Sequence, residues 1–268
     1  MSIAERAWRR RRLALIPRAC SFFEQTIGAL RSAEMSIASD SPTTLVLLPG
    51  LDGTDVFFRP LLRVLPDWVR PIVVQLPAHG VDYPGLLDIV SHETRDIGAY
   101  WILGWSFSGP LALLCAEKEP QRIRGVILCA SFVRAPRPVL AWCRFAFPSL
   151  VIGMIRVVRR LPLFLSVVRH AERRDKTETL SRVSAQTIAA RVRALLTVDV
   201  RDVLRQCQVP IVYVASSNDS VVPRRNLDDV VAHAPATQVF VLDGPHLALY
   251  TNPRAAAEII CAVLRRGQ

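Results

Sequence analysis

The sequence predicts an α/β protein: a mostly parallel sheet flanked by helices, interrupted once by an inserted helical cap. Three observations predict it. From residue 43 onward, short Val-, Ile- and Leu-rich runs alternate with helix-like stretches, the pattern of a parallel sheet covered on both faces. The alternation stops over residues 131–208, which hold several helical stretches and no strand-like run, and it resumes at residue 209. At 268 residues the chain can bury one large core with an insertion, but hardly two full domains.

Residues 1–40 differ from the rest. Arg9-Arg10-Arg11-Arg12 precedes a short apolar run, 13–16, that Pro17 and Arg18 cut off, too little for a secretory signal. A basic extension, helical and amphipathic or disordered, is expected here; the alternative is a functional chain that begins at Met35. Residues 43–49 (TTLVLLP) then read as the first buried strand. They run into the loop Gly50-Leu51-Asp52-Gly53-Thr54 and a helix over 55–65. A second strand is expected over 71–76, followed by a loop holding His79, which has no evident catalytic partner, and a helix over 84–95.

Residues 99–103 (AYWIL) read as the next strand and 110–119 as an Ala- and Leu-rich helix that Pro120 stops. Between them lies Gly104-Trp105-Ser106-Phe107-Ser108-Gly109. A serine where a strand turns sharply into a helix is a nucleophile elbow, whose crowded turn requires small neighbours. Gly104 supplies one. Two residues after the serine, where glycine is usual, stands Ser108, with Gly109 next.

A strand over 124–130 leads into the cap, divided by Pro136, Pro138, Pro148 and Pro162. There Phe145, Phe147, Leu150, Ile152, Met154 and Ile155 mix with Arg144, Arg156, Arg159 and Arg160. Such a segment suits either a lid that binds substrate or membrane, or a packing subdomain with solvated arginines. Beyond it come a strand over 209–215, a loop over 216–223, a strand over 237–242 that ends in Asp243-Gly244-Pro245-His246, and a helix over 253–265. The core is thus assigned to 41–130 and 209–268.

Charge and cysteine narrow the function classes. Of the net charge of +11, residues 131–210 carry +10, from 15 Arg and Lys against 5 Asp and Glu. No nucleic-acid signature accompanies it, so no nucleic-acid partner is expected; an anionic membrane met peripherally through the cap or N-terminus, or an acidic partner, suits it at least as well. The apolar run 145–155 is too short to span a bilayer and contains Pro148. Six scattered cysteines, without paired spacing, read as buried thiols in a reducing cytoplasm, not as disulfides or a metal site.

Ser106, Asp219 and His246 each follow a strand at the same edge of the expected sheet. A serine hydroxyl needs a base to take its proton during attack. Histidine does this and later protonates the leaving group, while a carboxylate fixes its tautomer. Asp199, Asp202, Asp228, Asp229 and His233 are the competing candidates, and none directly follows a strand. For the oxyanion, the backbone N–H groups of Leu51, in the first loop, and Phe107, after the nucleophile, are the candidate donors.

With these blocks the chain resembles the α/β-hydrolase fold superfamily of the serine ester-hydrolase type, from about residue 43 to the C-terminus. The matching blocks are LPGLDGT at 48–54, GWSFSG at 104–109, NDSVVP at 218–223 and GPH at 244–246. The similarity begins at the third strand of the superfamily's full sheet. It implies a cofactor-free acyl-enzyme mechanism, and it identifies fold and triad far better than substrate. The expectation is a serine hydrolase that cleaves a small-molecule carboxylic ester or thioester of an apolar acyl group. Acyl transfer from the same acyl-enzyme is the alternative, and a low-turnover ligand-binding protein a third reading.

Overall fold

The computed structural model describes residues 42–79, 82–136 and 173–267. The first strand, β1 (Thr43–Leu48), is followed by a 3-10 turn, Val56–Phe58, and the short helix α1 (Arg59–Leu62). Next come β2 (Val69–Val73), α2 (Tyr83–Glu93), β3 (Tyr100–Trp105), a 3-10 turn over Ser106–Ser108, α3 (Gly109–Lys118) and β4 (Ile123–Cys129). Three helices, α4 (Arg173–Arg182), α5 (Ala185–Thr197) and α6 (Arg201–Gln206), precede β5 (Ile211–Ser216) and α7 (Arg225–His233). The chain closes with β6 (Gln238–Leu242), α8 (Ala248–Thr251) and α9 (Pro253–Arg266).

The six strands form one sheet, ordered β2-β1-β3-β4-β5-β6, and every neighbouring pair is parallel. Period-two alternation divides the side chains of β1 between two cores. Leu45 and Leu47 pack on one face with Phe58, Leu61, Ile260 and Leu264; Val46 and Leu48 pack on the other with Leu86, Val90 and Leu111. Along β1, β3 and β4 both faces are therefore dry, which is why these three strands read as apolar runs. Each fully buried Leu or Ile contributes about 1.5–3 kcal/mol.

Two elements differ from the sequence expectation. The second strand was expected over 71–76, but β2 starts at Val69, and Pro71 stands inside it opposite Leu45. As an edge strand β2 tolerates a residue with no N–H, so a proline that reads as a strand start lies mid-strand. The helix expected over 55–65 shrinks to the 3-10 turn and the four residues of α1, with Pro60 in its first turn.

Within 131–208, the backbone forms an antiparallel bridge between Arg134 and Asp199, flanked by Ala135 N–H to Val198 O (3.0 Å) and Val200 N–H to Val133 O (2.7 Å). No strand was expected in this segment; the bridge is too short for any periodicity to announce it. Leu204 of α6 is buried in the core layer of α3 and α7. The apolar and arginine groups expected over 144–160, and the extension expected over 1–40, lie outside the described residues. No helix among the described residues is long and apolar enough to cross a membrane.

Candidate active site

The elbow is built by backbone constraint. Ser106 has φ 52°, a left-handed conformation that is costly for any residue bearing a Cβ. The turn is kept tight by its glycines: a Cβ on Gly104 would strike the Ser108 carbonyl oxygen, and one on Gly109 the side chain of Ser131. Gly109 thus supplies the clearance, and position 108 is free to do something else. Its buried hydroxyl donates to the Pro49 carbonyl in the first loop.

The loops after β5 and β6 bring Asp219 and His246 to this serine. His246 Nε2 lies 2.9 Å from Ser106 Oγ, and His246 Nδ1 lies 2.8 Å from Asp219 Oδ2. A carboxylate only accepts, so Nδ1 carries the proton and Nε2 is left to accept from the serine hydroxyl. The second oxygen of Asp219 accepts from the N–H groups of Val221 and Val222, both at 2.8 Å, which fixes the carboxylate plane. The His246 and Asp219 side chains are 5% and 8% exposed, so water screens their interaction weakly.

The competing candidates are occupied elsewhere. Asp199 pairs with Arg201, Asp202 with Arg205, and Asp229 with Arg134; Asp228 lies within α7. His233 approaches the Asp229 carbonyl at 2.7 Å, and His79 is an exposed loop residue.

Leu51 sits in a turn closed by Gly53 N–H to Gly50 O at 3.0 Å, with Gly53 at φ 73°. The turn lies against the elbow: a Cβ on Gly50 would come 3.9 Å from Ser106 Cβ. Phe107 is in the first turn of a 3-10 helix, where N–H groups have no intrahelical acceptor. Its carbonyl accepts from the Tyr83 hydroxyl at 2.8 Å, and the two rings stack at 5.0 Å. Ser131 likewise donates to the Ser106 carbonyl at 2.6 Å.

Sequence reasoning singled out neither Tyr83 nor Ser131, and treated Ser108 only as a departure from glycine. Burial pushes the Tyr83 phenol well above its ordinary range, so it remains a donor. A lone tyrosine at a helix start and a serine after a strand carry no motif. Only the folded contacts reveal that they hold the carbonyls of the elbow.

Comparison with known proteins places the chain in a family. A pimeloyl-[acyl-carrier protein] methyl ester esterase of Vibrio campbellii is 27% identical over 218 residues, covering 74% of this chain and 85% of its own. A poly(3-hydroxyalkanoate) depolymerase of Ectopseudomonas oleovorans is 25% identical over 244 residues, covering 84% and 85%. Among solved structures, a thermophilic esterase from Thermogutta terrifontis superposes with a TM-score of 0.67 at 20% identity, over 85% of this chain and 91% of its own, and so shares the fold. Residues 45–259 match the alpha/beta hydrolase family as a whole, and with that match over most of its length the chain belongs to the alpha/beta hydrolase family.

Proposed function

We propose that this hydrolase cleaves a carboxylic ester or thioester of an apolar acyl group through an acyl-enzyme. Ser106 is the nucleophile, His246 the general base and then acid, and Asp219 the carboxylate that holds the imidazole. The observation that carries the reading is the continuous hydrogen-bonded line from Asp219 through His246 to the Ser106 hydroxyl. The relatives named a methyl ester esterase and a poly(3-hydroxyalkanoate) depolymerase support an ester as the substrate class.

In this reading the reaction runs as two acyl transfers. As Ser106 Oγ attacks the carbonyl carbon, its proton passes to His246 Nε2, and the imidazolium that forms is stabilised by Asp219. The N–H groups of Leu51 and Phe107 receive the charge that develops on the carbonyl oxygen. The C–O or C–S bond then breaks, His246 gives the proton to the leaving group, and the acyl group stays on Ser106. Water, deprotonated by the same imidazole, releases it as the acid.

Residues 131–208 form the cap in this reading. What supports it is that α4 and α5 contact helices and loops of the core: Glu178 and Arg182 pair with Arg59 of α1 and Asp55, Asp175 accepts from Tyr250 of α8, and Thr187 donates to the Ala78 carbonyl. The test is hydrolysis of short p-nitrophenyl esters. Ser106→Ala abolishes it with folding intact, and Asp219→Asn lowers kcat by roughly 10⁴-fold, as loss of the correct tautomer does elsewhere. Asp199→Asn leaves it near wild type; a severe loss there instead of at Asp219 contradicts the assignment of the acid.

A further inference from the structure

Arg191 is the one arginine among the described residues that is fully buried, 1% exposed. It stands on α5, whose start is capped by Ser184 accepting from the Thr187 N–H. Its guanidinium donates to two main-chain carbonyls, Leu51 O at 2.7 Å and Pro77 O at 2.8 Å. Arginine's planar fork spans two acceptors at once, which a lysine ammonium does far less well. Gly53 makes the room: a Cβ there would lie within the guanidinium. The Asp52 carboxyl, buried and tied to the Thr54 N–H and hydroxyl, lies beside it; burial raises the Asp52 pKa, and Thr54 and Arg191 oppose that shift.

Burying a guanidinium is costly, and desolvation lowers its pKa to about 10. The place where that cost is borne is informative. Three consecutive carbonyls, those of Pro49, Gly50 and Leu51, are each held by a different donor. Ser108 of the elbow holds the first, Gly53 of the same turn the second, and Arg191 of α5 the third. The Leu51 N–H belongs to the peptide whose carbonyl is Gly50 O, so it is flanked by two fixed peptide planes. One of these anchors comes from within the insertion, 140 positions away.

We infer that Arg191 is a positioning residue: from the cap helix α5 it grips the Leu51 carbonyl, sets the direction of the Leu51 N–H toward the oxyanion, and so couples seating of the cap to acyl transfer. This rests on the reading of Ser106 as nucleophile and Leu51 as oxyanion donor. Other contacts, among them Arg59 with Glu178 and Thr187 with the Ala78 carbonyl, hold α4 and α5 on the same rim.

The test compares Arg191→Met, Arg191→Lys and the exposed neighbour control Arg193→Met on a p-nitrophenyl ester and on its thiono analogue, in which sulfur replaces the carbonyl oxygen. Sulfur accepts hydrogen bonds poorly, so the oxygen-to-thiono rate ratio reports on the oxyanion donors. Arg191→Met is expected to lower kcat for the oxygen ester about 10- to 100-fold, short of or near the loss of a whole donor, with KM within about threefold. The rate ratio shrinks at least about fivefold, Arg191→Lys is intermediate in both, and Arg193→Met matches wild type. An equal loss on both esters, a wild-type kcat in folded Arg191→Met, or a Lys variant identical to wild type overturns the inference. If Arg191→Met does not fold, Arg191→Lys is read in the same way, and failure of both to fold assigns Arg191 to structure alone. Ser106→Ala is assayed in parallel: retained turnover there removes the site reading itself, whatever the Arg191 variants do.

Discussion

The Ser108 hydroxyl donates to the Pro49 carbonyl, joining residues 59 positions apart and tying the turn after β3 to the loop after β1. The proposed nucleophile and one proposed oxyanion donor thereby share a rigid connection. Ser108→Ala leaves the buried Pro49 carbonyl without its donor, at a cost of about 1–3 kcal/mol, read from the urea midpoint. Ser108→Gly loses the same bond and does not restore stability, although glycine is the usual residue at this position.

Tyr83→Phe keeps the ring stacked on Phe107 and removes only the bond to the Phe107 carbonyl. Stability falls by about 1 kcal/mol. The rate falls by less than the roughly 100-fold that follows loss of an oxyanion donor. Steady-state kinetics beside a denaturation curve checks both.

Gly53→Ala asks a residue with a Cβ to hold φ 73° and to occupy the space of the Arg191 guanidinium. The backbone conformation alone costs about 1–2 kcal/mol, and displacement of Arg191 adds to it. Chemical denaturation measures the loss. Gly50→Ala, where an added Cβ meets nothing closer than 3.5 Å, is the milder comparison.

Much of this was legible in the sequence because the features involved are local and strongly patterned. Strands β1, β3 and β4 are buried on both faces, so their composition announces them, and the fold class follows. Ser106, Asp219 and His246, the three proposed site residues, stand in hydrogen-bonding contact, and their proximity was legible because each stands just past a strand, where parallel topology gathers loops at one edge. What escaped was long-range. Nothing local distinguishes Arg191 from the other basic residues of its segment, since its burial depends on two carbonyls and a glycine far away in the chain. The early start of β2 escaped because a proline is tolerated only when its strand is at an edge, and edge position is a property of the assembled sheet.

The ion pair between α4 and α1 gives a pH signature. The Arg59 guanidinium, donating through its two terminal nitrogens to Glu178, holds that carboxyl below its ordinary 4.5. A carboxyl lowered in the folded state stabilises above its unfolded pKa, and the effect is lost as pH falls through the lowered value. Glu178→Gln therefore melts below wild type at pH 7, and the gap closes as pH drops below about 4.5. Added salt narrows it at neutral pH, since the pair is partly exposed. Thermal melts across pH and salt check the prediction.

The central claim is that Ser106, activated by His246, is the atom that becomes acylated, and covalent trapping tests it most directly. The protein is treated with a serine-reactive fluorophosphonate, and the adduct is located by intact mass and peptide mapping. The account predicts one adduct per chain, on Ser106, absent in Ser106→Ala and slowed by orders of magnitude in His246→Ala. Labelling of a different residue, or labelling at full rate without the His246 imidazole, contradicts it.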